Sequence, residues 1–118
     1  MTWPNFSPAE FERACPPCKL EDMQLSFMNR LQTARDIAGF PFVINSAYRS
    51  KSWELKKGRS GASMHTLGRA VDIKCTSGAL RYAIVEAAVQ AGFRGIGIGS
   101  TFVHLDDRDE DSTIWLYD

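Results

Sequence analysis

Two histidines occur in the 118 residues, and each has an aspartate a few positions further on. His65 stands in "SMHTLGRAVDIKC", seven residues before Asp72, and His104 stands in "FVHLD", two before Asp106. A fully extended chain would hold His65 and Asp72 roughly 23 Å apart. They meet only if the chain bends between them, and Gly68 in "TLG" permits the positive φ of such a bend. Asp72 then lies inside "AVDIK", with Val71 and Ile73 on the opposite face. In "FVHLD", Val103 and Leu105 share one face while Phe102, His104 and Asp106 share the other. With the aliphatic residues turned to a core, His65, Asp72 and His104 come to one face of a sheet. Two imidazoles and a carboxylate are a ligand set for catalytic zinc, which keeps a further position open for water. Zinc lowers the pKa of that water and polarises a carbonyl, and a free carboxylate nearby can act as general base. Asp106 emerges on the same face as His104, roughly 6.6 Å along the strand. It is the candidate for that base, or for a group that holds a ligand histidine in place.

The elements that must position these residues read as follows. "SPAEF" is a helix start, with Ser7 as cap, Pro8 in the first turn and Glu10 closing a capping box; Pro16 and Pro17 limit its length. Leu20, Met23, Phe27, Leu31 and Ala34 recur at three- and four-residue steps, so the spacing predicts a helix ended by Gly39. Phe42, Val43 and Ile44 predict a strand. Residues 50–62, "SKSWELKKGRSGA", are polar and read as a long exposed loop of the kind that carries function. "AVDIK" is a strand, and "SGALRYAIVEAAVQAG" is a helix capped by Ser77 and ended by Gly92. "GIGIGS", "FVHLD" and "TIWLY" are strand candidates; the glycines of the first point to a bulge or a close backbone approach. The expected fold class is α+β, with helices packed on one mostly antiparallel sheet.

The bulk composition narrows the function classes. The length suits a single domain, residues 1–118, with one hydrophobic core. Fourteen basic and fourteen acidic residues give zero formal charge, so there is no electrostatic footprint for nucleic acid or an anionic membrane. No apolar run reaches the roughly 20 residues that span a bilayer. The opening "MTWPNFSPAEFERACPPC" has neither a basic nor an apolar leader segment, and no signal peptide is expected. Cys15, Cys18 and Cys75 are odd in number, which argues against a disulfide framework and for reduced structural thiols.

"SMHTLGRAVDI" resembles the S-x-H-x-x-G-x-A-x-D motif of the M15 zinc peptidases, the D-alanyl-D-alanine carboxypeptidase and L-alanyl-D-glutamate endopeptidase group that cuts bacterial peptidoglycan. Ser63, His65, Gly68, Ala70 and Asp72 match it. "FPFVINSAYRS" is similar to that family's strand and Y-R-S turn, and "GIGIGSTFVHLDDR" to its closing segments. The resemblance implies a hedgehog and D,D-peptidase-like fold. It implies zinc held by His65, Asp72 and His104, with Arg49 on the substrate carboxylate or developing oxyanion and Ser63 orienting a ligand or binding substrate. It further implies a monomeric enzyme acting on stem peptides, similar to a phage endolysin, cytoplasmic until release or carried in a virion. One position departs from the pattern: several branches place an acid three residues before the last histidine, and here Thr101 stands there. That departure leaves Asp106 as the expected base, and a zinc-containing, inactive binding module as the alternative.

Overall fold

The computed structural model describes residues 3–117. Four α-helices and a five-stranded mixed sheet make an α+β fold around one core. Helix α1 (Pro8–Glu12) begins at the expected capping box, where Glu10 accepts from the Ser7 backbone N–H at 2.7 Å. Helix α2 (Leu25–Ala38) ends at Gly39, whose φ of 79° is the left-handed value that favours glycine. Leu20 to Asp22 form a separate 3₁₀ turn, so the helix starts later than its apolar spacing implies. Helix α4 (Gly78–Ala91) is capped by the Ser77 hydroxyl, which accepts from Leu80 N–H, and it too ends at a left-handed glycine, Gly92.

The strands are β1 (Ile44–Ser46), β2 (Ala70–Lys74), β3 (Gly95–Ile98), β4 (Phe102–Asp106) and β5 (Thr113–Leu116). Their order across the sheet is β1-β2-β4-β3-β5. All neighbours pair antiparallel except β3 and β5, which run parallel. The expectation of a mostly antiparallel sheet therefore holds, and β1 lies two residues later than "PFVI" suggested. One face of the sheet meets the helices. Val71, Ile73, Val103 and Leu105 join Phe27, Leu31 and Ile84 in the core, and Phe27 meets Phe93 edge-on at 5.5 Å. Burying each such side chain contributes about 1.5–3 kcal/mol, which fixes strand register because a one-residue slip would turn every apolar group outward.

Residues 50–62 differ from the sequence expectation. They are not one exposed loop: helix α3 (Lys51–Lys56) occupies the first half, with the Ser50 hydroxyl accepting from Trp53 N–H at 3.1 Å. The buried residue of this helix is the charged Glu54, so no apolar stripe announces it. Among the described residues, no helix is long and apolar enough to cross a membrane.

Candidate metal centre

His65 sits in a 3₁₀ turn, Met64–Leu67, that closes on Gly68 at φ 69°. A side chain at position 68 would overlap the Asp22 carbonyl oxygen, so this turn requires glycine twice over, for its φ and for its space. The bend carries the chain into β2, where Asp72 stands directly opposite His104 of β4. The Asp72 Oδ1 atom lies 3.0 Å from His104 Nδ1 and 3.3 Å from His65 Nε2. One donor atom from each of His65, Asp72 and His104 falls within 4.8 Å of the others, a grouping able to hold a metal ion.

Hydrogen bonds behind the cluster decide what it offers. His65 Nδ1 lies 2.6 Å from the Ala47 carbonyl oxygen, so that nitrogen carries the proton and Nε2 presents a lone pair to the cluster. His104 Nε2 lies 2.7 Å from Asp106 Oδ2 and donates there, which turns the lone pair of Nδ1 toward Asp72. A lone pair on nitrogen and a carboxylate oxygen 3.0 Å apart repel unless a proton or a cation lies between them. Burial opposes charge on His104, but hydrogen bonds to Asp106 and Asp72 outweigh it and hold the imidazole above its ordinary pKa. Burial works to raise the Asp72 carboxyl too, and the bonds from His104 and His65 override it, holding the group well below the usual carboxylate range. Two imidazoles with tautomers set from behind and one ionised carboxylate fit a divalent metal with nitrogen and oxygen preferences.

Arg49 follows β1 in "NSAYRS" and is 7 % exposed. Its Nε donates to Ser46 Oγ at 3.0 Å, and Nη1 lies 3.4 Å from Glu54 Oε2. Nη2 donates to Asp72 Oδ2 at 2.9 Å and lies 3.2 Å from His65 Nε2. Arg49 thus borders the donor cluster instead of standing free on the surface. Ser63 also reaches the site, with its hydroxyl donating to Glu54 Oε2. Glu54 is a residue that sequence reasoning missed; the one available signal is its place four residues after Ser50, the N-cap of α3.

Asp106 is fully buried, and both its oxygens are taken. Oδ1 accepts from Arg108 N and Nε at 3.2 and 2.8 Å, and Oδ2 from His104 Nε2 and Arg108 Nη2, both at 2.7 Å. Burial would raise this carboxyl, but Arg108 and His104 hold it well below the usual range. Thr101 is exposed in the turn between β3 and β4. Cys15 is exposed and Cys18 and Cys75 are buried; all three are free thiols and none joins the His–Asp cluster. Burial pushes the Cys18 thiol up.

The cluster opens into a cavity of about 660 Å³ whose walls include Arg49, Glu54, Ser63, Arg59, Trp115 and Tyr117. Trp115 lies on β5 and Tyr117 directly follows that strand. Trp115 meets His104 at 5.3 Å between ring centroids and Arg108 stacks on Trp115 at 4.7 Å. Gly97 of β3 lies between β4 and β5, paired with both His104 and Trp115. A Cβ there would lie 2.8 Å from Trp115 Nε1 and would overlap Tyr117, so this glycine serves close approach, as its sequence setting suggested, with no bulge.

The model of the peptidase M15 family matches residues 4–106. The chain belongs to the peptidase M15 family. As a member it is a peptidase, hence a hydrolase, of a family whose enzymes are typically metal-dependent. No curated protein matches the chain. The matched segment of this M15 peptidase holds His65, Asp72, His104 and Asp106, whereas β5 with Trp115, and Tyr117 after it, lie beyond it.

Proposed function

We propose that this M15 peptidase is a zinc enzyme that hydrolyses peptide bonds in the stem peptides of bacterial peptidoglycan, as a carboxypeptidase or an endopeptidase. The observation that carries the reading is the convergence of His65 Nε2, Asp72 Oδ1 and His104 Nδ1, with the far ring nitrogens of the two histidines engaged by the Ala47 carbonyl and Asp106. Zinc bound there would supply a Lewis acid and an acidified water.

The chain's own residues have separable tasks in this reading. Ala47 keeps His65 in the tautomer that exposes Nε2. Arg49 offers a planar fork to a substrate carboxylate or to the oxygen on which charge develops. Ser63 lines the same cavity and binds substrate. Asp106, expected as general base, has four hydrogen bonds and no exposure. We therefore assign it to holding His104, since a saturated buried carboxylate has no lone pair free for a water. Trp115 and Tyr117 shield His104 from solvent on the side of β5. In this reading the protein works as a monomer, without nucleic acid or membrane, on cell-wall substrate reached after lysis or from a virion, as phage endolysins do.

Thr101, exposed where several branches of the family carry an acid, favours a second reading, a zinc-containing binding module without activity. Two measurements on the purified protein test both. The expected result is close to one zinc per chain by elemental analysis, and new muropeptides by mass spectrometry after incubation with cell walls. Zinc and wall binding without new muropeptides would establish the binding module; absence of stoichiometric zinc would remove both readings.

A further inference from the structure

Glu54 is the buried acid that none of these tasks uses. It is 1 % exposed on α3, and its Oε1 atom has no hydrogen-bond partner among the described residues. Its Oε2 atom accepts from two residues of the cavity wall, the Ser63 hydroxyl and Arg49 Nη1. A carboxylate withdrawn from water is costly unless it is paired, and this one is paired with groups that face substrate.

The pairing has a chemical consequence. The single hydroxyl proton of Ser63 is committed to Glu54, so Ser63 Oγ presents only lone pairs to the cavity. Arg49 has no lone pair and presents only N–H groups. Side by side, the two offer an acceptor and a donor, the complement of the N–H and C=O of one peptide group. Glu54 also balances the charge of Arg49 through Nη1, as Asp72 does through Nη2. Once a cation shares the charge of Asp72, Glu54 is the carboxylate left to neutralise the guanidinium.

We propose that Glu54 is a positioning residue for peptide substrate, fixing Ser63 as a hydrogen-bond acceptor and Arg49 as the adjoining donor. This rests on the peptidase reading. Glutamine at position 54 keeps the shape and an acceptor oxygen for Ser63 and Arg49, but removes the charge that commits the Ser63 proton and faces Arg49.

The test compares wild type, Glu54→Gln, Ser63→Ala and the double variant on stem-peptide fragments, with bound zinc and thermal unfolding measured alongside. Each single variant should retain its zinc and lose about 10- to 100-fold in kcat/KM, the factor one charge-assisted hydrogen bond is worth. The double variant should fall no further than the worse single one, because both act through the same bond. Undiminished kcat/KM in Glu54→Gln overturns the proposal, and so do losses that multiply or that follow loss of zinc. If Glu54→Gln does not fold, Ser63→Ala decides alone, and full kcat/KM in it is the overturning result. A wild type that cleaves nothing removes the peptidase reading, and this inference with it.

Discussion

His104 Nε2 lies 2.7 Å from Asp106 Oδ2, while Arg108 grips both oxygens of the same carboxylate. The aspartate is thereby aimed at the back of the imidazole. An orienting group of this kind is worth about 10- to 100-fold in metal affinity. Asp106→Asn should weaken zinc binding by that factor, measured by competition with a chelator, and turnover should partly recover with added zinc. Normal zinc affinity joined to a loss of about two or more orders of magnitude in turnover would instead make Asp106 the base.

The same network gives the metal-free protein a defined pH response. Burial opposes charge on His104, yet Asp106 and Asp72 raise its pKa above the ordinary value. Stabilisation from a raised histidine is complete below its unfolded value of about 6.5 and is lost as pH rises through the folded one. Asp72 and Asp106 are depressed, so their contribution is complete above about 3.9 and is lost as pH falls through their folded values. Metal-free protein should therefore lose Tm as pH rises above about 6.5 and through the raised value of His104. Zinc needs the Nδ1 position of His104 free of its proton, so its affinity rises over the same range. The gap in Tm between zinc-loaded and zinc-free protein should widen with pH; a constant gap would show that His104 is not a ligand.

Arg49 reads in the sequence as a residue for substrate and not for the fold. Its burial and its bonds to Ser46, Glu54 and Asp72 give it a task in the fold beside the proposed one on substrate. Arg49→Lys keeps the charge and loses the fork. It should lower kcat/KM steeply and also cost about 1–3 kcal/mol of stability. An unmoved unfolding curve would mean that these buried bonds contribute nothing to folding.

Gly97→Ala should displace Trp115 and Tyr117, since its methyl would overlap Tyr117 and crowd Trp115. Overpacking of this kind costs about 1–3 kcal/mol. Tyr117→Ala should relieve much of that cost, which thermal unfolding of the two single variants and the double variant would show. Full additivity would place the strain elsewhere.

The donor set was legible in the sequence because it obeys short-range rules. Alternation in "AVDIK" and "FVHLD" separates core from site, and Gly68 marks the bend that brings His65 round. Glu54 was not legible, because a buried charge is written with the same letter as a solvated one. Among "SKSWELKKG" it passes for part of a polar loop, and the helix that carries it goes unseen. "TIWLY" was readable as a strand, but its parallel partner is a long-range choice that no local pattern encodes. Trp115 was thus visible as a residue and invisible as a wall of the site.

The strand that forms this wall has a consequence for how the protein is made. A ribosome delivers His65, Asp72 and His104 before it delivers Thr113–Leu116, and β5 joins the sheet only through β3. Every nascent chain thus passes through a stage in which the three donors exist and Trp115 does not yet cover His104. The last strand to be made is the one that sets Trp115 against His104 and completes the wall of the cavity.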